Sequence, residues 1–127
     1  MILLGRKLVK PVVQTMAEAI MDFEGWYYGS VSQRNNNPGN IKYRGQKGAV
    51  GKDSQGHAIF ETFEAGWNAL INQLNLAFDN ASAVYNNDMS LIAFFSKYAE
   101  QNAIPYAAYV AERLGVTPST KLKDLIG

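Results

Sequence analysis

From Trp26 to Gly39 the chain reads WYYGSVSQRNNNPG, aromatic and then polar. It has neither the 3.6-residue period of a helix nor the alternation of a strand. Asn37-Pro38-Gly39-Asn40 closes it with a strong turn signal, since Pro fixes φ while Gly and Asn tolerate positive φ. Whatever folds before this stretch must stop near Gly25, and whatever follows must restart near Ile41.

The segment before it, Pro11 to Gly25, has a helical pattern. Pro11 suits the first turn, where its missing N–H costs nothing. Val12, Val13, Met16, Ala17, Ile20 and Phe23 recur at helical spacing, and Gly25 is a natural stop. After the turn, Ile41-Lys42-Tyr43, Lys47 to Gly51 and Ala58 to Phe60 are short strand candidates. Asp53-Ser54-Gln55-Gly56 forms the hairpin turn between the last two. The remainder is helical. Thr62 to Phe78 has Thr62 as cap and Trp67, Leu70, Ile71, Leu74 and Phe78 on one face. Ser90 to Tyr98 follows, then Pro105 to Leu114 with Gly115 as stop, then a short turn over Pro118 to Leu125. The expected fold is α+β, predominantly helical, with a small three-stranded antiparallel sheet between the first helix and the later ones. At 127 residues a single domain spanning 1–127 is expected.

Charge and composition narrow the function classes. A net charge of +1 gives no long-range field toward nucleic acid or an anionic membrane. The group Arg34, Lys42, Arg44, Lys47 and Lys52 is the one candidate basic patch, and a solvated face explains it as well. The absence of cysteine excludes disulfides and thiolate chemistry, and a lone His57 excludes a multi-histidine metal centre. No cofactor or metal is called for. The segment MILLGRKLVK reads as neither a signal peptide nor a membrane span, because its apolar run ends at Gly5 and charges follow. A monomer without membrane insertion is expected.

Glu24 is the candidate for chemistry. It falls four residues after Ile20, continuing the apolar stripe, at the helix end where the dipole disfavours negative charge. Burial and dipole both favour the protonated acid, the form a general acid needs. The plainer alternative is a helix-end Glu turned to water. Trp26, Tyr27, Tyr28 and Tyr43 can stack on sugars or fill core. Asn35, Asn36, Asn37 and Asn40 can bind hydroxyl and acetamido groups or serve the turn itself. No second carboxylate is compelling: Asp22 falls on the far side of the helix, Asp53 is in a turn, Glu64 is in a first helical turn, and Glu61 follows the sheet. There is no G-x-S-x-G elbow and no phosphate-binding Gly loop. Ser32 lacks a convincing base.

These segments carry a family resemblance. A helix ending in an acidic residue is followed by S-x-R-N-N-N-P-G-N-I-K, then G-x-V-G-x-D-x-x-G-x-A-I-F, then A-G-W-x-A-L. This resembles the small lysozyme-like transglycosylase domains of phage virion proteins, endolysins and bacterial relatives. The tail KYAEQNAIPYAAYVAERLGV is similar to their closing segment, although Glu100 stands where relatives often carry Pro. The resemblance covers Val12 to Val116 and is most specific from Arg34 to Ile41. It implies a lysozyme-like fold and cleavage of the β-1,4 bond between N-acetylmuramic acid and N-acetylglucosamine in peptidoglycan. It implies Glu24 as the acid and Ser32, Asn37, Asn40, Phe60, Glu61, Tyr98 and Tyr106 as substrate-binding residues. No second carboxylate is required by it, because the substrate's acetamido or 6-hydroxyl group can take part. The implied site of action is the bacterial cell wall, reached in the periplasm, from outside, or from a phage particle. Two alternatives stand beside it: a hydrolytic muramidase in which Glu61 positions water, and a glycan-binding module of the same fold without turnover.

Overall fold

The computed structural model describes residues 2–4 and 7–125, with side chains from Lys10 onward; Gly5 and Arg6 of the N-terminal segment lie outside the described residues. The described elements are β1 (Ile2–Leu4), β2 (Lys7–Val9), α1 (Pro11–Phe23), α2 (Val31–Arg34), β3 (Ala49–Lys52), β4 (Ala58–Phe60), α3 (Phe63–Phe78), α4 (Leu91–Tyr98) and α5 (Ala103–Leu114), followed by one 3-10 turn at Leu122–Asp124. The architecture is α+β with helices dominant.

The chain forms two compact units, Met1–Ala19 with Gln73–Gly127 and Ile20–Asn72, so α1 and α3 each contribute residues to both. In the first unit, β1 and β2 pair antiparallel, with Leu3 opposite Leu8. Its buried side chains include Val13, Met16 and Ala17 of α1, Leu74 and Phe78 of α3, Leu91, Phe94 and Phe95 of α4, and Tyr106 and Val110 of α5. Ser90 caps α4 by accepting from the Ala93 N–H at 3.0 Å. Gly115 ends α5 at φ +73°, a left-handed value that suits glycine. The terminal turn is tied down by the Leu122 N–H to the Met89 carbonyl at 3.0 Å and the Lys123 N–H to the Asn87 carbonyl at 2.8 Å.

In the second unit, β3 and β4 form a two-stranded antiparallel hairpin. Ala49 stands opposite Phe60 and Lys52 opposite Ala58, and a bulge between Ala49 and Gly51 leaves Val50 outward. The expected three-stranded sheet is therefore corrected to two strands. Ile41-Lys42-Tyr43 runs alongside but makes only one bridge, Lys42 with His57. The reason is local: the Ile41 N–H, which a ladder would use, is taken by the Asn37 side chain at 3.0 Å.

Candidate active site

Glu24 sits one residue past α1. Its N–H still reaches the Ile20 carbonyl at 2.9 Å, the Gly25 N–H bonds the Asp22 carbonyl at 3.1 Å, and the Trp26 N–H bonds the Met21 carbonyl at 3.3 Å. Gly25 takes φ +80°, which turns the chain away sharply. Glu24 is half-buried, while Asp22 is exposed. The Asn40 Nδ2 donates to Glu24 Oε1 at 3.4 Å, a long bond. Asn40 Oδ1 is buried and finds no partner among the described residues. The amide thus meets the acid through its donor side.

The loop that carries Asn40 is locked by its own asparagines. Asn35 donates to Asp53 Oδ2 at 3.0 Å. Asn36, at φ +52°, donates to the carbonyls of Phe60 at 3.1 Å and Glu61 at 3.3 Å. Asn37 is 0% exposed. It donates to the Ile41 and Ala58 carbonyls, both at 2.9 Å, and accepts from the Ile41 N–H. Asn40 itself adopts φ +49°, a left-handed value Asn accepts better than most residues. The main chain closes the same web through the Phe60 N–H to the Asn35 carbonyl at 2.8 Å. On the other side the loop rests on α3. A Cβ at Gly66 would collide with the Asn36 carbonyl and stand 3.0 Å from Pro38 Cδ, so backbone and helix approach at a distance only Gly permits.

Asp53 anchors the hairpin end of this web. It accepts from the N–H groups of Gln55 and His57, both at 2.9 Å. His57 is buried, and its Nδ1 lies 3.2 Å from Asp53 Oδ2. The carboxylate only accepts, so Nδ1 carries the hydrogen. Burial by itself would raise the Asp53 pKa. The His57 N–H, the Asn35 amide, the Gln55 N–H and the His57 ring together outweigh it and hold the carboxyl at about 2, against an ordinary 3.8.

The residues expected to line a cleft have very different surroundings. Ser32 is 1% exposed, with its Oγ 3.2 Å from the Ser30 Oγ and donating to the Gly25 carbonyl at 3.5 Å. Phe60 is 1% exposed and belongs to the core. Neither these two nor Asn37 offers an exposed face to a ligand; Ser32 bonds the Gly25 carbonyl next to Glu24, and the Asn37 carbonyl accepts from the Asn40 N–H at 2.9 Å. Asn40 is half-buried, and Glu61 is exposed. Tyr98 and Tyr106 belong to the first unit. The Tyr106 ring stacks on Phe95 with centroids 4.3 Å apart and is buried, whereas Tyr98 is half-buried and stacks on Phe94 at 5.6 Å.

Three features escape a reading of the sequence. Helix α2 is capped by Ser30 accepting from the Gln33 N–H at 3.2 Å, while Gln33 Oε1 accepts from the Gly29 N–H at 2.9 Å. The S-x-x-Q spacing was its signal. Gly66 beside Trp67 was the mark of a close approach. The contact of Trp26 with Phe63 joins positions far apart in sequence and left no local sign, whereas Phe63 and Trp67 are neighbours one turn apart on α3.

Comparison with family models, with curated proteins and with solved structures gives no match. The chemistry of the site therefore has to be argued from its residues.

Proposed function

We propose that the chain cleaves the β-1,4 bond between N-acetylmuramic acid and N-acetylglucosamine in peptidoglycan, as a lytic transglycosylase on a lysozyme-like fold. The observation that carries this is the setting of Glu24: a half-buried carboxyl at a helix end, met by the Asn40 amide of a loop locked by Asn37. A helix-end Glu turned fully to water would have no such partner. The resemblance through Arg34 to Ile41 supports the same reading, because the resembling loop is the one that reaches Glu24.

In the reaction, protonated Glu24 gives its proton to the glycosidic oxygen as the bond from C1 of the muramic acid to that oxygen breaks. The Glu24 carboxylate then takes the proton from the 6-hydroxyl of the same sugar as that oxygen bonds to C1. The product is a 1,6-anhydro end, and Glu24 is again protonated. No water and no second carboxylate enter. Asn40 positions the Glu24 carboxyl, and Glu61 is the exposed polar residue nearest in sequence to the loop's anchor at Phe60.

Mass analysis of muropeptides from digested cell walls is the test. Wild type yields anhydro-ended fragments, and Glu24→Gln lowers their rate of release by about 10³-fold or more. Fragments with reducing ends would instead mean hydrolysis. Sedimentation with cell walls and no fragments would mean a glycan-binding module. A wild-type rate in Glu24→Gln would remove Glu24 from the chemistry.

A further inference from the structure

The chain has two tryptophans, Trp26 and Trp67, and both lie against one phenylalanine. Phe63 stacks on Trp67 with centroids 6.0 Å apart and an interplanar angle of 19°. The edge of Trp26 meets it at 5.1 Å and 62°. All three residues belong to the second unit. Phe63 is nevertheless 41% exposed, and the two indoles are half-buried. An aromatic cluster that served only as core would be covered. This one keeps ring surface in water, at a cost that a ligand's apolar face would remove.

We propose that Trp26, Phe63 and Trp67 form a stacking subsite for an N-acetylated hexosamine ring of the glycan strand. The inference rests on the reading of Glu24 as the acid that cuts that strand. Continuity selects the occupant: Trp26 follows Glu24 by two residues through the Gly25 turn, so the cluster begins at the acid's own helix end. The flanking positions select it too. Glu61, Thr62 and Glu64 are exposed polar residues around Phe63, which suits a ligand with an apolar C–H face and a hydroxyl rim better than a wholly apolar one. A second sugar held away from the bond being cut supplies binding energy that positions the reacting one.

The two tryptophans make the proposal testable, because all indole emission of this chain comes from the proposed subsite. The full-length Glu24→Gln variant and the wild type are titrated with soluble N-acetylglucosamine oligomers while tryptophan emission is followed. Saturable change in both is expected. Phe63→Ala weakens the apparent affinity about tenfold and lowers the thermal midpoint through its lost contacts with Trp26 and Trp67 while the chain stays folded at the titration temperature, and Phe63→Tyr, which keeps the ring face, restores both. In turnover on cell walls, Phe63→Ala raises KM more than it lowers kcat. A flat emission titration, or a Phe63→Ala variant that binds the oligomers like its parent, overturns the subsite. Failure of the Glu24 reading looks different: no muropeptides from wild type, with the emission response and its loss in Phe63→Ala intact.

Discussion

Asn37 has no exposed surface, yet its amide makes three hydrogen bonds, to the Ile41 carbonyl, the Ala58 carbonyl and the Ile41 N–H. Removing it would strand the Ala58 carbonyl and the Ile41 N–H, while the Ile41 carbonyl keeps the Ala58 N–H at 2.9 Å; each stranded group costs about 1–3 kcal/mol unless water or local rearrangement relieves it. Asn37→Ala is therefore expected to destabilise the protein by about 3 kcal/mol in urea unfolding. Asn40 has the opposite profile. It is half-buried, spends one donor on Glu24 at 3.4 Å, and its Oδ1 finds no partner among the described residues, so Asn40→Gly, which tolerates the φ of +49°, loses little packing and no good bond. Its expected effect is on cleavage rate, with a thermal midpoint close to wild type. The two variants together separate loop construction from chemistry. In the sequence these asparagines look alike. Which one faces backbone and which one faces the acid depends on contacts with β4 and Glu24, and residue type does not encode them.

At the scale of elements, legibility followed how local the determining physics is. Helix α5 was readable because Pro105 in its first turn and Gly115 at φ +73° act within the helix itself. Helix α3 was readable from Thr62, which accepts from the Ala65 N–H at 3.1 Å, and from its buried Leu70, Ile71, Leu74 and Phe78. The third strand was misread because the backbone N–H of Ile41 is given to the Asn37 side chain instead of a neighbouring strand, a competition invisible to alternation. The β1–β2 pair was also not foreseen, since its three-residue strands lack the Asp-Ser-Gln-Gly type of turn signal that marked β3 and β4. Of the proposed site, the pairing of Glu24 with Asn40 depends on a contact sixteen residues apart that no local pattern encodes, and the burial of Ser32, Asn37 and Phe60 was not legible either. The close approach of α3 at Gly66 to the Asn36 carbonyl gives a sharp prediction. Gly66→Ala forces α3 and the Asn36 carbonyl apart and should cost about 3 kcal/mol. Gly51→Ala in β3 meets nothing within 4 Å and should leave the unfolding midpoint nearly unchanged. Parallel denaturation of the two variants checks the pair.

For the molecule as a whole, Asp53 in one compact unit and Asp88 in the other are carboxylates held below their ordinary range, and both tie stability to pH on the acid side. In the second unit the Asp53 carboxyl sits at about 2 in the folded chain against 3.8 as reference. In the first unit, Asp88 is lowered by hydrogen bonds from Lys123, at 2.7 Å, and Lys121, at 3.2 Å. A folded-state pKa below the unfolded one means that the unfolded chain binds the proton more tightly, so stability is present above the unfolded value and is lost as pH falls through the folded one. For Asp53 the window runs from 3.8 down to about 2, and the difference corresponds to roughly 2 kcal/mol. Asp88 acts in the same direction, but its exposed ion pairs add little and are screened by salt. The expected result is that wild type is more stable than Asp53→Asn by a constant margin from pH 7 to pH 5, with the margin shrinking below pH 4 and gone near pH 2. Thermal unfolding of both proteins across that range measures it. The loss should survive high salt, because hydrogen bonds from Asn35, Gln55 and His57 hold Asp53, whereas the Asp88 contribution should disappear. A margin that stayed flat to pH 2 would mean that Asp53 acts through shape alone and that its charge contributes nothing to holding the hairpin against the asparagine loop.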